Sequence, residues 1–330
     1  MTAPMLCRNL MGRLAALALG VALSCATVAQ GAYPDRPVRL IVPFPPSGST
    51  DIVARTVAER LGAALGQTVV VDNKPGATGA IGLEALARSR PDGYTIGLGT
   101  IGSMAINPAV NRRLSWDPQR DFAPVGYIGS TPFALIVNPK LPAANLPEFI
   151  ALAKRQPGGL AYATGGIGGS QHVAAVLLED LAGITMRQIP YKGSGPALTD
   201  LMGGQVDAMI EPVVSAAPHM AAGKVRALAL TGSRPSPSFP GIPVVADTIK
   251  GYEALAWFAL FAPAGTPPPV IARLNAELDR ILRDPQVVDR LGRAGVEVDP
   301  APPERLASFL RDELEKWRRV VAKAGITSEP

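Results

Sequence analysis

Cysteine and histidine are nearly absent from this sequence. Its 330 residues include two cysteines and two histidines, and both cysteines, Cys7 and Cys25, lie within the first thirty residues. The remaining chain therefore holds no disulfide and no thiolate metal site. The spacings H-x-x-H and H-E-x-x-H are missing, so a zinc hydrolase is not supported, and we expect neither a metal nor a cofactor.

A serine nucleophile and a nucleic-acid-binding surface are also unsupported. The sequence has no G-x-S-x-G motif, and its loop serines lack an obvious base. The formal net charge of +5 falls to +3 without Arg8 and Arg13, and the chain has no run of lysines or arginines. This charge balance does not favour a nucleic-acid partner.

A long apolar run occurs at residues 14–28, directly after Arg8 and Arg13. The run is too short to span a bilayer comfortably, and small residues follow it, so we expect residues 1–32 to be a cleaved signal peptide and the protein to be exported to the periplasm. An uncleaved anchor helix is one alternative. A lipoprotein attached through Cys25 is another, because Ala22-Leu23-Ser24-Cys25 looks like a degraded lipobox.

The full chain is rich in glycine (34) and proline (33), and after residue 32 it alternates between short strands and helices. This alternation is typical of an α/β fold in which helices cover both faces of a mostly parallel sheet. The apolar patterns of the first half predict strands at 38–42, 69–71, 94–98 and 125–128, and helices at 50–65 and 81–87.

The same strand–turn–helix order starts again near residue 132, which predicts a second domain. The patterns there predict strands at 133–137, 160–163, 186–189, 206–210, 225–230 and 255–263, with helices starting near 146, 171, 196 and 216. The tail is predicted to be helical at 270–282, 285–291 and 303–324, without strands, and to pack back on the first domain. The expected domains are therefore 33–131 with 256–330, and 132–255, with a hinged cleft between them.

The loop at residues 43–51 is the first candidate binding site. It joins a buried strand to a helix, and such a loop directs backbone N–H groups and the positive helix end at one point, where an anion can rest. Gly48 permits backbone angles closed to other residues, and Ser49 or Thr50 can cap the helix. Phe44 would wall the apolar side, and Asp51 would favour the helix dipole or receive a ligand ammonium group. An ordinary strand–helix turn explains the same pattern.

A second glycine-rich loop, at residues 164–171, also opens a helix. Four glycines in five positions carry a cost in chain entropy, and close backbone approach to a ligand is one reason for them. A flexible loop is the alternative. His172 by itself is a weak signal, since such a histidine more often caps or packs than titrates.

The segment Gly97-Leu98-Gly99-Thr100-Ile101-Gly102 matches G-x-G-x-x-G after a strand, yet we reject a dinucleotide site. Asn107-Pro108 interrupts the helix that should follow, and no acidic residue ends a second strand at the required distance. Thr100 and Ser103 remain candidates for hydroxyl contacts with a ligand. Glu211 and Asp207 flank residues 208–210 and would act as a carboxylate pair only beside a base or a metal.

Eight segments resemble one family along essentially the whole chain after residue 32. They read YPDRP at 33–37, PFPPSGSTD at 43–51, NKPGA at 73–77, PDGY at 91–94, AINP at 105–108, PYKGS at 190–194, GGQVD at 203–207 and FAPAGTP at 261–267. The chain thus resembles the Bug-type periplasmic receptors of tripartite tricarboxylate transporters. The resemblance implies a two-domain Venus-flytrap fold, a small carboxylate held between the domains by main-chain amides and water, and permease subunits as partners.

The candidate ligand-binding residues combine this resemblance with the loops above. They are Phe44, Pro45, Ser47, Gly48, Ser49, Asp51, Thr100, Ser103, Thr164, Gly165, Gly168, Ser170, Gln171, Tyr191 and Asp207. Three residues depart from the pattern that we expect of the family, namely Ser47, Met104 and Glu211. We expect a monomer without enzymatic activity. Two other classes stay open: a sensor that delivers the ligand to a signalling receptor, and an enzyme of the same fold.

Overall fold

The computed structural model describes residues 33–46 and 49–326. The compact unit that carries the strands and helices below begins at Arg36. The predicted signal peptide, as well as Ser47 and Gly48 of the first loop, lies outside the described residues. None of the helices within the described ranges has both the length and the apolar composition that a membrane span requires.

Ten strands lie in one mixed sheet in the described part of the chain. They are β1 (Val38–Val42), β2 (Val69–Asn73), β3 (Thr95–Thr100), β4 (Phe122–Val137), β5 (Ala161–Thr164), β6 (Arg187–Pro190), β7 (Ala208–Pro212), β8 (Arg226–Leu230), β9 (Leu255–Pro263) and β10 (Glu297–Ala301).

Eleven α-helices flank this sheet in the described ranges. They are α1 (Ser49–Leu65), α2 (Ala80–Ala87), α3 (Asn107–Val110), α4 (Leu146–Arg155), α5 (Ser170–Ala182), α6 (Ser194–Gly203), α7 (Val213–Ala221), α8 (Val245–Thr248), α9 (Pro268–Leu282), α10 (Pro285–Arg293) and α11 (Pro303–Ala324). A short 3₁₀ turn (Ala77–Gly79) precedes α2, and a π-helical segment (Ile101–Ile106) follows β3.

Most predicted elements are confirmed to within two or three residues at their ends. Apolar composition explains the strands: in β1, for instance, Leu40, Ile41 and Val42 are fully buried, as expected of a strand covered on both faces. Local capping explains α4, where the Asn145 side chain accepts a hydrogen bond from the Glu148 N–H at 2.9 Å.

The structure differs from the sequence predictions at two strands. The strands predicted at 125–128 and 133–137 belong to one continuous 16-residue strand, β4. The prediction that the tail has no strand is wrong, because β10 pairs antiparallel with β4, with Glu297 opposite Ser130. The sequence of β10, Glu-Val-Asp-Pro-Ala, lacks the apolar run of a buried strand. Its proline fits an edge strand, since β10 pairs with β4 and with no other described strand of the sheet.

The parallel strands fall into two sets that run in opposite directions. β1, β2 and β3 are parallel to one another, and so are β5, β6 and β7. β9 is antiparallel to both β3 and β4, whereas β7 is antiparallel to β4. The carboxyl ends of the two sets therefore point towards each other.

The two carboxyl ends meet near the middle of β4. Thr100, which ends β3, pairs with Phe258 of β9, and Phe258 pairs with Gly129 of β4. Pro212, which ends β7, pairs with Phe133 of β4, only four positions further along that strand. In open α/β sheets, ligands bind beyond the carboxyl ends of strands at such a change of direction.

The glycines of the rejected G-x-G-x-x-G motif have a packing role in this sheet. Gly97 and Gly99 lie in β3, where a Cβ atom on Gly97 would collide with Leu86 and one on Gly99 with Phe261. These residues let α2 and β9 pack closely against β3, which accounts for the motif without a dinucleotide.

Candidate functional site

The candidate site lies where the loops after β1, β3, β5, β6 and β7 leave the sheet. Phe44 and Pro45 lie two and three residues after the end of β1, half-buried and exposed respectively, and α1 begins at Ser49. The loop after β5 reaches the chain that follows β3: a Cβ atom on Gly168 would lie 3.0 Å from Cγ1 of Val110, the last residue of α3. The two strand sets thus present their loops to one another.

Asp51 is buried in the first turn of α1, and its carboxylate forms hydrogen bonds with other side chains of the protein. Its carboxylate accepts hydrogen bonds from Arg55 Nε at 2.8 Å and from Asn73 Nδ2 at 2.9 Å. The same Asn73 amide donates to the Phe44 carbonyl at 3.1 Å. The carboxylate at the helix start therefore ties the loop after β1 to the end of β2, a role that also complements the helix dipole.

Thr100 and Ser103 are buried and cap the π-helical segment. The Ser103 N–H donates to the Thr100 hydroxyl at 3.3 Å, and the Thr100 N–H donates to the Ser103 hydroxyl at 3.1 Å. Asn107 then donates from its side chain to the Ala77 carbonyl at 2.9 Å. Both hydroxyls thus shape the backbone after β3.

The loop after β5 is held by side chains of α5. Gln171 Oε1 accepts a hydrogen bond from the Gly165 N–H at 2.7 Å, and His172 Nδ1 accepts one from the Gly168 N–H at 3.0 Å. Gly168 has a φ of +72°, which residues with a Cβ rarely adopt. Burial lowers the pKa of His172, which favours the neutral ring that can accept this hydrogen bond.

Thr164 and Tyr191 join the loops after β5 and β6. Fully buried Thr164 accepts on its hydroxyl from Gln188 at 3.1 Å and on its carbonyl from the Tyr191 N–H at 2.8 Å. The Tyr191 hydroxyl donates to Asp200 of α6 at 2.7 Å. These contacts set the spacing of the two loops at the carboxyl edge of the sheet.

Glu211 lies near the carboxyl end of β7 and forms hydrogen bonds with side chains from the starts of three helices. Its carboxylate accepts hydrogen bonds from Gln171 in the first turn of α5, from Ser194 at the start of α6 at 3.0 Å, and from Ser215 in the first turn of α7. Glu211 is 1% exposed, and its hydrogen-bond partners are all uncharged. Burial raises the pKa of Glu211 from 4.5 to about 7, and the three donors oppose that rise.

Asp207 lies apart from the other candidate residues. It precedes β7, at the amino end of the strand, where its carboxylate accepts from the Ala161 N–H at 2.8 Å. Glu211 lies near the other end of the same strand, so the two carboxylates do not form a pair. In the described ranges, no cluster of three or more histidine, cysteine or acidic side chains is arranged to hold a metal.

Some residues of the site escape the sequence analysis. The loops are held in place by hydrogen bonds from the side chains of Asn73, Ser194 and Ser215. These residues are not among the ligand-binding candidates that the sequence predicts. Asn73 ends a strand, and the two serines lie in first helical turns that follow strands. Polar residues at the carboxyl ends of strands are the signal that could have identified them.

Comparisons with known proteins agree with this geometry. The model of a family described as the tripartite tricarboxylate transporter family receptor matches residues 53–326. Protein BugT of Bordetella pertussis is 39% identical over 302 residues, which cover 91% of this chain and 93% of BugT.

Solved structures of similar proteins have the same fold as this chain. The periplasmic binding protein BugD has a TM-score of 0.76 at 36% identity, over 90% of this chain and 100% of BugD. An R. palustris protein solved with adipate has a TM-score of 0.79 at 34% identity, over 89% and 99%. MatC from Rhodopseudomonas palustris, with bound malate, has a TM-score of 0.74 at 34% identity, over 88% and 100%.

These matches show the two-domain periplasmic-binding-protein fold. They extend over nearly the full length of each relative, so the similarity includes both strand sets and the tail. The chain belongs to the tripartite tricarboxylate transporter receptor family of solute-binding proteins.

Proposed function

We propose that this protein is a periplasmic receptor that captures one small organic acid between the carboxyl ends of its two strand sets. The closed receptor then delivers the acid to permease subunits of a tripartite tricarboxylate-type transporter. The observation that carries this proposal is the convergence of β3 and β7 on β4, which brings the loops that open α1 and α5 to one region. Adipate and malate in two similar proteins support a carboxylate as ligand.

Main-chain N–H groups do most of the binding in this proposal. The first turn of a helix leaves N–H groups without partners inside the helix, and the helix dipole makes that end positive. α1 supplies such groups from Ser49 onward, next to Phe44 and Pro45. Because Asp51 already holds Arg55 and Asn73, its part is to keep the loop in place.

The second strand set offers a different environment. The first turns of three helices already contact the Glu211 carboxylate through their side chains. The positive ends of these helix dipoles are therefore partly compensated by a group of the protein itself. The backbone of residues 165–169 remains as the surface that the ligand meets, together with Ser170 at the start of α5. Two domains, 33–131 with 256–330 and 132–255, close over the acid in this scheme, and their boundaries fall on β4 and β9.

A thermal-shift screen tests the ligand class. The purified protein is titrated with dicarboxylates, tricarboxylates, acidic amino acids and aromatic acids, with neutral sugars and amines as controls. A ligand that binds only the native state raises Tm with its concentration. We expect a rise for one class of acids, whereas a rise with sugars and none with any acid would contradict the proposal.

A second measurement separates the receptor from an enzyme. The acid that raises Tm is incubated with the protein and followed by proton NMR. We expect the acid to be recovered unchanged and to bind in a one-to-one ratio. Turnover that is lost in Glu211→Gln would instead support the enzyme alternative.

A further inference from the structure

A cavity of about 320 Å³ shares no lining residue with the loops of the candidate site. It opens between β10, α11 and the chain that follows β8, beside the middle of β4. None of the candidate ligand-binding residues lines it. Its apolar side is formed by Leu255, Leu306 and Phe309.

Two buried polar atoms without a hydrogen-bond partner belong to residues that line this cavity. They are Ser236 Oγ and Glu297 Oε1, and they are the two such side-chain atoms in the described part of the chain. Ser236 is 5% exposed. An unpaired buried polar atom destabilises the folded state, and more so when it is charged, so folded proteins rarely leave two beside one cavity.

The charged groups of the lining favour a cation. The cavity is lined by the carboxylates of Glu253, Glu297 and Asp299 and by two exposed arginines, Arg234 and Arg305. None of the five forms an ion pair within 4 Å in the described chain. Because carboxylates outnumber guanidinium groups and an unpaired carboxylate oxygen is buried, the cavity disfavours an anion and requires a hydrogen-bond donor.

We propose that this cavity binds a small organic ammonium compound. The ammonium group donates a hydrogen bond to Glu297 Oε1, and the Ser236 hydroxyl completes the polar end of the site. The carbon chain of the ligand lies against Leu306 and Phe309. A volume of about 320 Å³ is at the lower end of small-molecule pockets, which suits an amine of a few carbon atoms.

Calorimetric titration of the full protein with butane-1,4-diamine, lysine and ethanolamine tests this site. We expect one-to-one binding of at least one of these amines to the wild type. Glu297→Gln should weaken that binding tenfold or more, and Ser236→Ala by a smaller factor. Glu315→Gln, which changes an exposed carboxylate of α11 away from the cavity, should bind as the wild type does.

The comparison between the two glutamate variants decides the outcome. If no amine binds at millimolar concentration, or if Glu297→Gln and Glu315→Gln bind equally, the site is wrong and ordered water satisfies the two atoms. Circular dichroism and Tm show whether each variant is folded. Titration with butane-1,4-dicarboxylate tests the sign of the ligand charge. The affinity for this acid should be the same in the wild type and in Glu297→Gln.

Discussion

At the scale of single residues, Glu211 lies in an environment that differs strongly from that of a free glutamate side chain. It is buried, its partners are one amide and two hydroxyls, and the first turns of α5, α6 and α7 all reach it. Helix N-termini favour the charged carboxylate, whereas burial favours the protonated one. With a pKa near 7, the net effect favours the proton.

The pH dependence of stability should reveal this carboxyl group. Because its pKa is raised in the folded protein, Glu211 contributes stability that is complete below about pH 4.5 and is lost as the pH rises through about 7. The difference in unfolding free energy between the wild type and Glu211→Gln should change by about 3 kcal/mol over that range. Urea unfolding at pH 4.5, 6 and 8 measures it.

Glu148→Gln serves as the control for this measurement, since Glu148 lies on the exposed start of α4. It is unfolded by urea at the same three pH values, and its difference from the wild type is the baseline for the comparison. A pH-independent difference for Glu211→Gln would mean that the pKa of Glu211 is the same in the folded and the unfolded protein, so that burial does not raise it.

Gly168 and Gly183 form a matched pair that separates backbone strain from ligand binding. Both have positive φ, +72° and +60°, and they lie just before and just after α5. Alanine at either position should lower the unfolding free energy by about 1–2 kcal/mol. Only Gly168→Ala should also weaken acid binding, tenfold or more, because the proposed function places that loop against the ligand and the new Cβ would lie 3.0 Å from Cγ1 of Val110.

Calorimetric titration with the acid found in the screen measures both variants. Equal affinities in Gly168→Ala, Gly183→Ala and the wild type would remove the loop after β5 from the binding site. A loss of affinity in both variants would show that the effect comes from reduced stability alone.

At the scale of elements, α11 is attached to the sheet by a buried carboxylate. Glu313 Oε2 accepts hydrogen bonds from Trp257 of β9 and Trp317 of α11, each at 2.9 Å, and Glu313 also forms an ion pair with Lys316. Both indoles are fully buried. Leu306, Leu310 and Leu314 recur every four residues along α11 and are buried, which places one apolar face of the helix in the core.

Removal of the Glu313 carboxylate should loosen this attachment. Glu313→Ala leaves two buried indole N–H groups without an acceptor, so we expect a loss of about 3 kcal/mol in unfolding free energy. Glu315→Ala, on the exposed face of the same helix, should change it by less than about 0.5 kcal/mol. Guanidinium unfolding followed by tryptophan fluorescence measures both, and similar values for the two variants would contradict the role of Glu313.

At the scale of the whole molecule, the carboxyl ends of the two strand sets point towards each other along β4. β4 and β9 are the long strands that connect the sets, and the predicted domain boundaries at 131/132 and 255/256 fall on them. The boundaries stay a prediction. Connections of this kind suit a hinge, since few residues need to change their backbone angles.

Small-angle X-ray scattering tests closure around the ligand. The radius of gyration should fall when the acid from the screen is added at saturating concentration, because the two domains approach each other. An acid that leaves Tm unchanged is the control and should leave the radius of gyration unchanged. If the binding acid has no effect on the radius either, the domains do not close on binding.

The sequence by itself determined the local elements and the type of loop between them. Apolar patterns predicted most strands and helices, including the start of α4 near residue 146, because such patterns depend on residues within a few positions of each other. The glycines at 165–169 likewise identified the loop after β5. The family resemblance added the ligand class to this local information.

Only the tertiary structure decided how these elements meet. The continuity of β4, the pairing of β10, the link between Asp51 and Asn73 and the cluster around Glu211 all join residues far apart in the chain. Glu211, for example, meets Gln171 from 40 positions away. Such contacts depend on which surfaces pack together and which polar groups that packing buries, and no local pattern carries this information.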